Sequence, residues 1–231
     1  VRVRGKHPRR GGTTEVVIGV DDVRYYLTKP ILNSRLHSRN MLELWPKMVL
    51  ELYDQDYQYL AAKIIDDRPE VKRYNLQLTL IDNSLGITDK RQLELEDEAA
   101  RRWLGDVNWF YTATRKVTPT PVVNDAFRQF EISQTPVLLI HGTLDLSTPV
   151  ENAEELLKYF PRGHLLTVEG GTYAANQHAA SFDPRFLKYL TDFFNEQNPT
   201  DACQRIPAKI TLPPLQFQAT GAPSLFSQLI D

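Results

Sequence analysis

The stretch from Thr135 to Tyr189 constrains this chain more than any other. Thr135-Pro136-Val137-Leu138-Leu139-Ile140-His141-Gly142 is an unbroken β-favouring apolar run closed by a glycine. A run without alternation predicts a strand covered on both faces, as in a parallel sheet. The helix that follows is marked at its start. Thr148 is placed to cap it, Pro149 suits its first position, and Glu151 completes a capping box. Val150, Ala153, Leu156, Leu157 and Phe160 then share one face, and Gly163 closes the helix. His164 to Val168 reads as the next strand, and Glu169-Gly170-Gly171-Thr172-Tyr173 as its loop. Asp183-Pro184 opens a last helix with Phe186, Leu187, Leu190, Phe193 and Phe194 inward. A strand-helix-strand unit of this kind crosses over right-handed and makes the sheet parallel.

Strand, Gly-x-x-Asp-x-x-x-Pro, helix, strand and Gly-Gly loop, in that order, resemble the C-terminal end of an α/β-hydrolase. The likeness is to the proline-iminopeptidase and tripeptidyl-peptidase-like (TAP-like) branch, close over Gln134 to Phe194 and looser upstream. It implies an α/β fold: the C-terminal portion of a parallel hydrolase sheet plus a helical cap. It also implies that Asp145 is the triad acid. The family's histidine follows the last strand as Val-x-Gly-x-x-His, and here Tyr173 holds that place. His178, five residues on and still ahead of Asp183, is the competing imidazole. His141 at the strand end is placed to shape the site, and His164 lies toward the far edge.

With 231 residues and 42% hydrophobic content, the chain can bury one sizeable core, or a core and a small appendage. Its 27 basic and 29 acidic residues give no electrostatic case for nucleic acid. No apolar run approaches the roughly 18–20 residues of a membrane span. The lone cysteine, Cys203, excludes an internal disulfide, and no metal or cofactor is expected.

Residues 1–70 read as a hairpin and helical cap. Val1 to Arg4 alternates like a strand, Gly5 to Thr14 is a basic turn, and Glu15 to Val20 returns. A hairpin starting at residue 1 suggests that something precedes it. Helices are predicted after Asp21-Asp22, with Pro30 as a break and a further stretch through Ile31, Leu32 and Leu36. Met41-Leu42-Glu43-Leu44-Trp45-Pro46 leads into another helix with Met48, Val49, Leu52 and Tyr53 inward, and Tyr57 to Ile65 makes a third. By resemblance Trp45-Pro46 matches a Trp-Pro where the cap packs on the site, with a core role favoured for Trp45, Tyr25, Tyr26, Tyr53 and Tyr57. Residues 71–196 read as the C-terminal part of the hydrolase core. Val71 to Ile81 alternates as a strand, Thr88 to Leu104 as an amphipathic helix, and Asp106 to Thr120 is aromatic and proline-punctuated. Residues 197–231 form a proline-rich extension in which Lys209 to Leu212 adds an edge strand.

The chemistry is incomplete. A serine hydrolase of this fold carries its nucleophile on a strained Gly-x-Ser-x-Gly elbow ahead of the acid and the histidine, and no such motif occurs here. Asp82-Asn83-Ser84-Leu85-Gly86 is a faint echo of one. Two function classes follow. One is the C-terminal half of a serine hydrolase of peptide, ester or amide bonds, partnered by an N-terminal half as a separate chain or swapped copy. The other is a catalytically inactive hydrolase-fold binding or scaffold protein, which Tyr173 favours.

Overall fold

The structure, a computed structural model, describes residues 1–32, 38–67, 76–106, 109–117, 120–195, 199–220 and 224–226. The alternating start forms the expected hairpin. β1 (Arg2–Lys6) runs antiparallel to β2 (Thr13–Val17), with Arg2 opposite Val17 and Lys6 opposite Thr13. Val16 and Ile18 turn inward against the helices that follow. α1 (Val20–Leu32) starts with Asp22 accepting the Gly19 N–H at 2.8 Å. It runs through Pro30, where a break was expected. Leu36 lies outside the described residues.

α2 (Ser38–Tyr53) likewise contains Pro46 instead of starting at it. Leu44, Trp45 and Met48 keep one face buried across the proline, and that packing outweighs the lost bond. Met48 and Leu52 point inward as expected, but Val49 and Tyr53 face solvent. Trp45 has a structural place, its Nε1 donating to the Leu27 carbonyl at 2.9 Å. α3 (Gln58–Asp67) supplies Leu60, Ala61 and Ile64, which close a core with Val16, Ile18 and Tyr26.

The strand expected over Val71–Ile81 is not found among the described residues of that span. Residues 76–81 belong to α4 (Leu76–Leu85), and 71–75 lie outside the described residues. A strand there would need a neighbour for its backbone, and a helix satisfies its own. α4 buries Thr79 and Asn83 and exposes Leu76, Ile81 and Leu85. The helix from Thr88 is capped by that threonine's hydroxyl, which accepts the Arg91 N–H, but it is shorter than expected. α5 (Asp89–Asp97) stops, and α6 (Arg101–Leu104) restarts after a turn. α7 (Trp109–Val117), which the prolines around it disguised, packs on α4, where the Thr114 hydroxyl donates to Asn83 Oδ1 at 3.3 Å. Among the described side chains from 76 to 132, only Thr79 and Asn83 are buried.

Asn124 caps a short 3₁₀ turn (Asp125–Arg128) that leads to β3 (Val137–Gly142). α8 (Val150–Leu157) crosses to β4 (Gly163–Glu169), which runs parallel to β3 with Val137 opposite Gly163. Gly163 therefore opens a strand and does not close the helix. β3 is half-buried along most of its length, not covered on both faces, and β4 is its one strand neighbour among the described residues. The segment after β4, read as a loop, contains α9 (Ala175–Phe182). α10 (Phe186–Asn195) buries Phe186 and packs Leu190 and Phe193 on the core, whereas Leu187 and Phe194 face solvent. It is not the last helix, since α11 (Pro199–Arg205) follows.

β5 (Lys209–Thr211) then adds in parallel to β4 as the expected edge strand, giving the order β3-β4-β5. Leu166, Val168, Ile210, Leu212, Ala175, Ala179 and Phe186 form the core beneath this sheet. Beyond it the tail lies over α2. Glu43 takes the Gln216 N–H at 2.9 Å, Glu51 takes the Leu225 N–H at 2.8 Å, and Leu225 is buried against Met48 and Tyr59.

Candidate active site

The loops after β3 and β4 leave the same end of the sheet and are laced together. The Thr143 N–H donates to the Val168 carbonyl at 3.1 Å, and the Leu144 N–H to the Gly171 carbonyl at 2.8 Å. The Gly170 N–H donates to the Thr143 hydroxyl at 2.9 Å. Gly142 permits this contact, because a Cβ there would strike the Gly171 and Thr172 carbonyl oxygens. C-terminal ends of parallel strands are where α/β sheets place their ligands. Asp145 on the first loop and residues 173–178 on the second therefore belong to one locality.

Asp145 is 6% exposed and well satisfied within its own turn. Its Oδ1 accepts the N–H of Ser147 at 2.9 Å and of Thr148 at 3.0 Å, while its Oδ2 accepts the Thr148 hydroxyl at 2.7 Å. The expected capping box is thus replaced. Thr148 serves the carboxylate, and Pro149 stands at the cap position of α8 with no side-chain bond. An Asp followed by Ser and Thr two and three residues on is the local pattern that closes such turns.

The imidazole within ion-pair reach of Asp145 is that of His141, with Nε2 3.8 Å from Oδ2. The other ring nitrogen, Nδ1, lies 3.2 Å from the Gly142 carbonyl oxygen. His178 is 2% exposed within α9, and its Nδ1 faces the Thr172 N–H across 3.5 Å. A nitrogen that accepts there carries no proton to give to a carboxylate, which is the role that Nδ1 plays in a catalytic triad. Tyr173 is 58% exposed, turned toward solvent while Asp145 is buried. Ser84 sits inside α4 and donates its hydroxyl to the Ile81 carbonyl at 2.7 Å. An elbow needs a strand running into a helix, so the faint Ser84 motif is not one.

The flanking groups are structural. The Thr211 hydroxyl and Lys209 hold the Glu169 carboxyl below its usual range and fasten β5 to β4. Arg185 bonds to Asp183 and lowers that carboxyl in the same way. Among the described residues no cluster of three or more His, Cys, Asp or Glu side chains could hold a metal ion. No described helix is long and apolar enough to cross a membrane. A cavity of about 390 Å³ lies elsewhere, between α4, α5, α6 and α7, lined by residues such as Asp82, Arg101 and Arg115.

Residues 107–198 match a family model described as TAP-like protein. This stretch belongs to the TAP-like branch of the α/β-hydrolases. The TAP-like stretch takes in α7 to α10 with β3 and β4, and so contains Asp145, Tyr173 and His178. It covers less than half of the chain and leaves the hairpin, α1 to α6 and the tail outside. No curated protein and no solved structure matches the chain. The mixed helices and three-stranded parallel sheet are those of a partial α/β-hydrolase fold.

His141 beside Asp145 and Arg39 beside Gly170 were not singled out by sequence reasoning as partners. The first is an i, i+4 pair spanning a strand end and a turn, so its spacing alone carries no geometry. The second joins residues far apart in the chain and leaves no local signal.

Proposed function

We propose that this chain is the acid-bearing part of a TAP-like hydrolase whose catalytic imidazole has been lost, leaving a catalytically silent hydrolase-fold protein. The observation that carries this reading is the pairing state of the site. Asp145 spends its oxygens on its own turn, Tyr173 stands exposed at the family's histidine place, and His178 turns Nδ1 to the Thr172 N–H. A phenol with an ordinary pKa near ~10 cannot take a serine proton at neutral pH.

The nucleophile elbow, absent from these residues, comes in this reading from a complementary half, as a separate chain or a swapped copy. The outer edge of β3 supports it, because that edge has no strand beside it among the described residues. So does the solvent-facing apolar surface of α4 to α7, with Trp103 and Trp109 outward. The hairpin and α1 to α3 serve as the cap, and the ancestral substrate class is a small peptide, ester or amide.

The test is restoration. In the protein assembled with an elbow-bearing half, Tyr173→His should raise ester or peptide turnover by at least ~10²-fold, the usual contribution of a positioned general base. His178→Ala should change little. Turnover already present and abolished by His178→Ala would instead place the base at His178 and refute the silent reading.

A further inference from the structure

An arginine is rarely buried without a partner for its charge. Arg39, in the first turn of α2, is 7% exposed. Its Nη1 donates to the Gly170 carbonyl and its Nη2 to the Pro213 carbonyl. The guanidinium carbon also stands 5.9 Å from the centre of the Phe182 ring, within cation–π range. Burial disfavours the charge and Glu43, one turn along α2, favours it, while one oxygen of the Glu43 carboxylate accepts the Gln216 N–H. The guanidinium therefore spends its donors on main chain from two other segments.

Gly170 and Phe182 bracket the segment that carries Tyr173 and His178. One side chain touches both ends of that segment and the start of the tail. Gly170 is shaped to this contact. It has φ +76°, and a Cβ there would stand 2.9 Å from Arg39 Nη1.

We propose that Arg39 is the positioning residue of the candidate site, fixing segment 170–182 to α2 and to the tail as one cooperative unit. The proposal rests on reading that segment as the histidine loop of the hydrolase fold. In this arrangement, release of the tail at Pro213 loosens the placement of residues 173 and 178. A planar guanidinium presents separate nitrogens to two carbonyls while it lies within reach of a ring, whereas an ammonium offers its three donors from a single point.

Amide hydrogen exchange on the full chain, with NMR of the His178 ring, tests this. Arg39→Ala should speed exchange at amides 171–182 and at Gln216 and Gln218 by about tenfold or more relative to the β3–β4 amides, the signature of local opening. The His178 ring resonances should shift with it, and Arg39→Lys should not restore both segments. Gly170→Ala carries the same test if Arg39→Ala fails to fold. Its added Cβ crowds Arg39, so the distant Gln216 and Gln218 amides should lose protection. Unchanged exchange, a uniform rise that includes the β3–β4 amides, or full rescue by lysine would overturn the proposal. None of these readouts needs turnover, so failure to reconstitute activity leaves this test intact.

Discussion

Thr148 donates its hydroxyl to Asp145 Oδ2 at 2.7 Å, and so serves the carboxylate before it and not the helix after it. This bond and the two N–H bonds to Oδ1 make Asp145 the knot of the turn between β3 and α8. Thr148→Val should destabilise the chain by about 1 kcal/mol, since the threonine is exposed and water can partly replace it. Asp145→Ala should cost more, about 1–3 kcal/mol, because three donors lose one acceptor. Asp145→Asn should fall between, as its amide oxygen can keep the two N–H bonds. Urea unfolding midpoints measure the order, and equal effects of all three would contradict it.

Tyr173 and His178 should separate cleanly in stability. Tyr173→Ala, at an exposed position, should stay within about 0.5 kcal/mol of the parent. His178→Ala, at a buried one, should cost about 1–3 kcal/mol. Thermal or chemical melts of the two variants suffice. The reverse order would mean that the phenol is held and the imidazole is free.

The tail should be part of the folded unit. Leu225 is 1% exposed beneath Met48 and Tyr59, so Leu225→Ala should cost about 2–5 kcal/mol, as truncation of a buried leucine does. A change below about 0.5 kcal/mol would show that the tail does not dock there in solution.

Glu51 makes that docking dependent on pH. Burial pushes its carboxyl up, only partly opposed by the Leu225 N–H that it accepts. A raised folded-state pKa means that the native chain holds this proton more tightly than the unfolded chain. The corresponding stability is fully present below the unfolded carboxylate pKa and is lost as pH rises through the raised value. Glu51→Gln keeps an oxygen for the Leu225 N–H and removes the titration. Stability measured from about pH 4 to about pH 7 should therefore decline less in the variant than in the parent. Parallel profiles would contradict this.

The sheet, its parallel sense and the helix between β3 and β4 were legible because apolar runs and their boundaries are local signals. The hairpin, α3 and β5 were legible for the same reason. Pro46 misled because packing of Leu44, Trp45 and Met48 carries the helix across it, and burial is not local. Leu76, Leu78 and Leu80 alternate like a strand, but no neighbouring strand among the described residues completes a ladder, and the chain forms α4. At the site, the residues of interest were named from the motif. Their bonding was not, because Thr148 can cap α8 or serve Asp145, and residue type alone does not choose between them.

The measurement that bears most directly on the silent-site reading is fluorophosphonate labelling of the purified 231-residue chain, with adducts counted by intact mass. The expected result is no stoichiometric adduct, since the sequence holds no Gly-x-Ser-x-Gly elbow and the proposed reading leaves no imidazole to deprotonate a serine. Stoichiometric labelling of a single serine, abolished by His178→Ala, would contradict it.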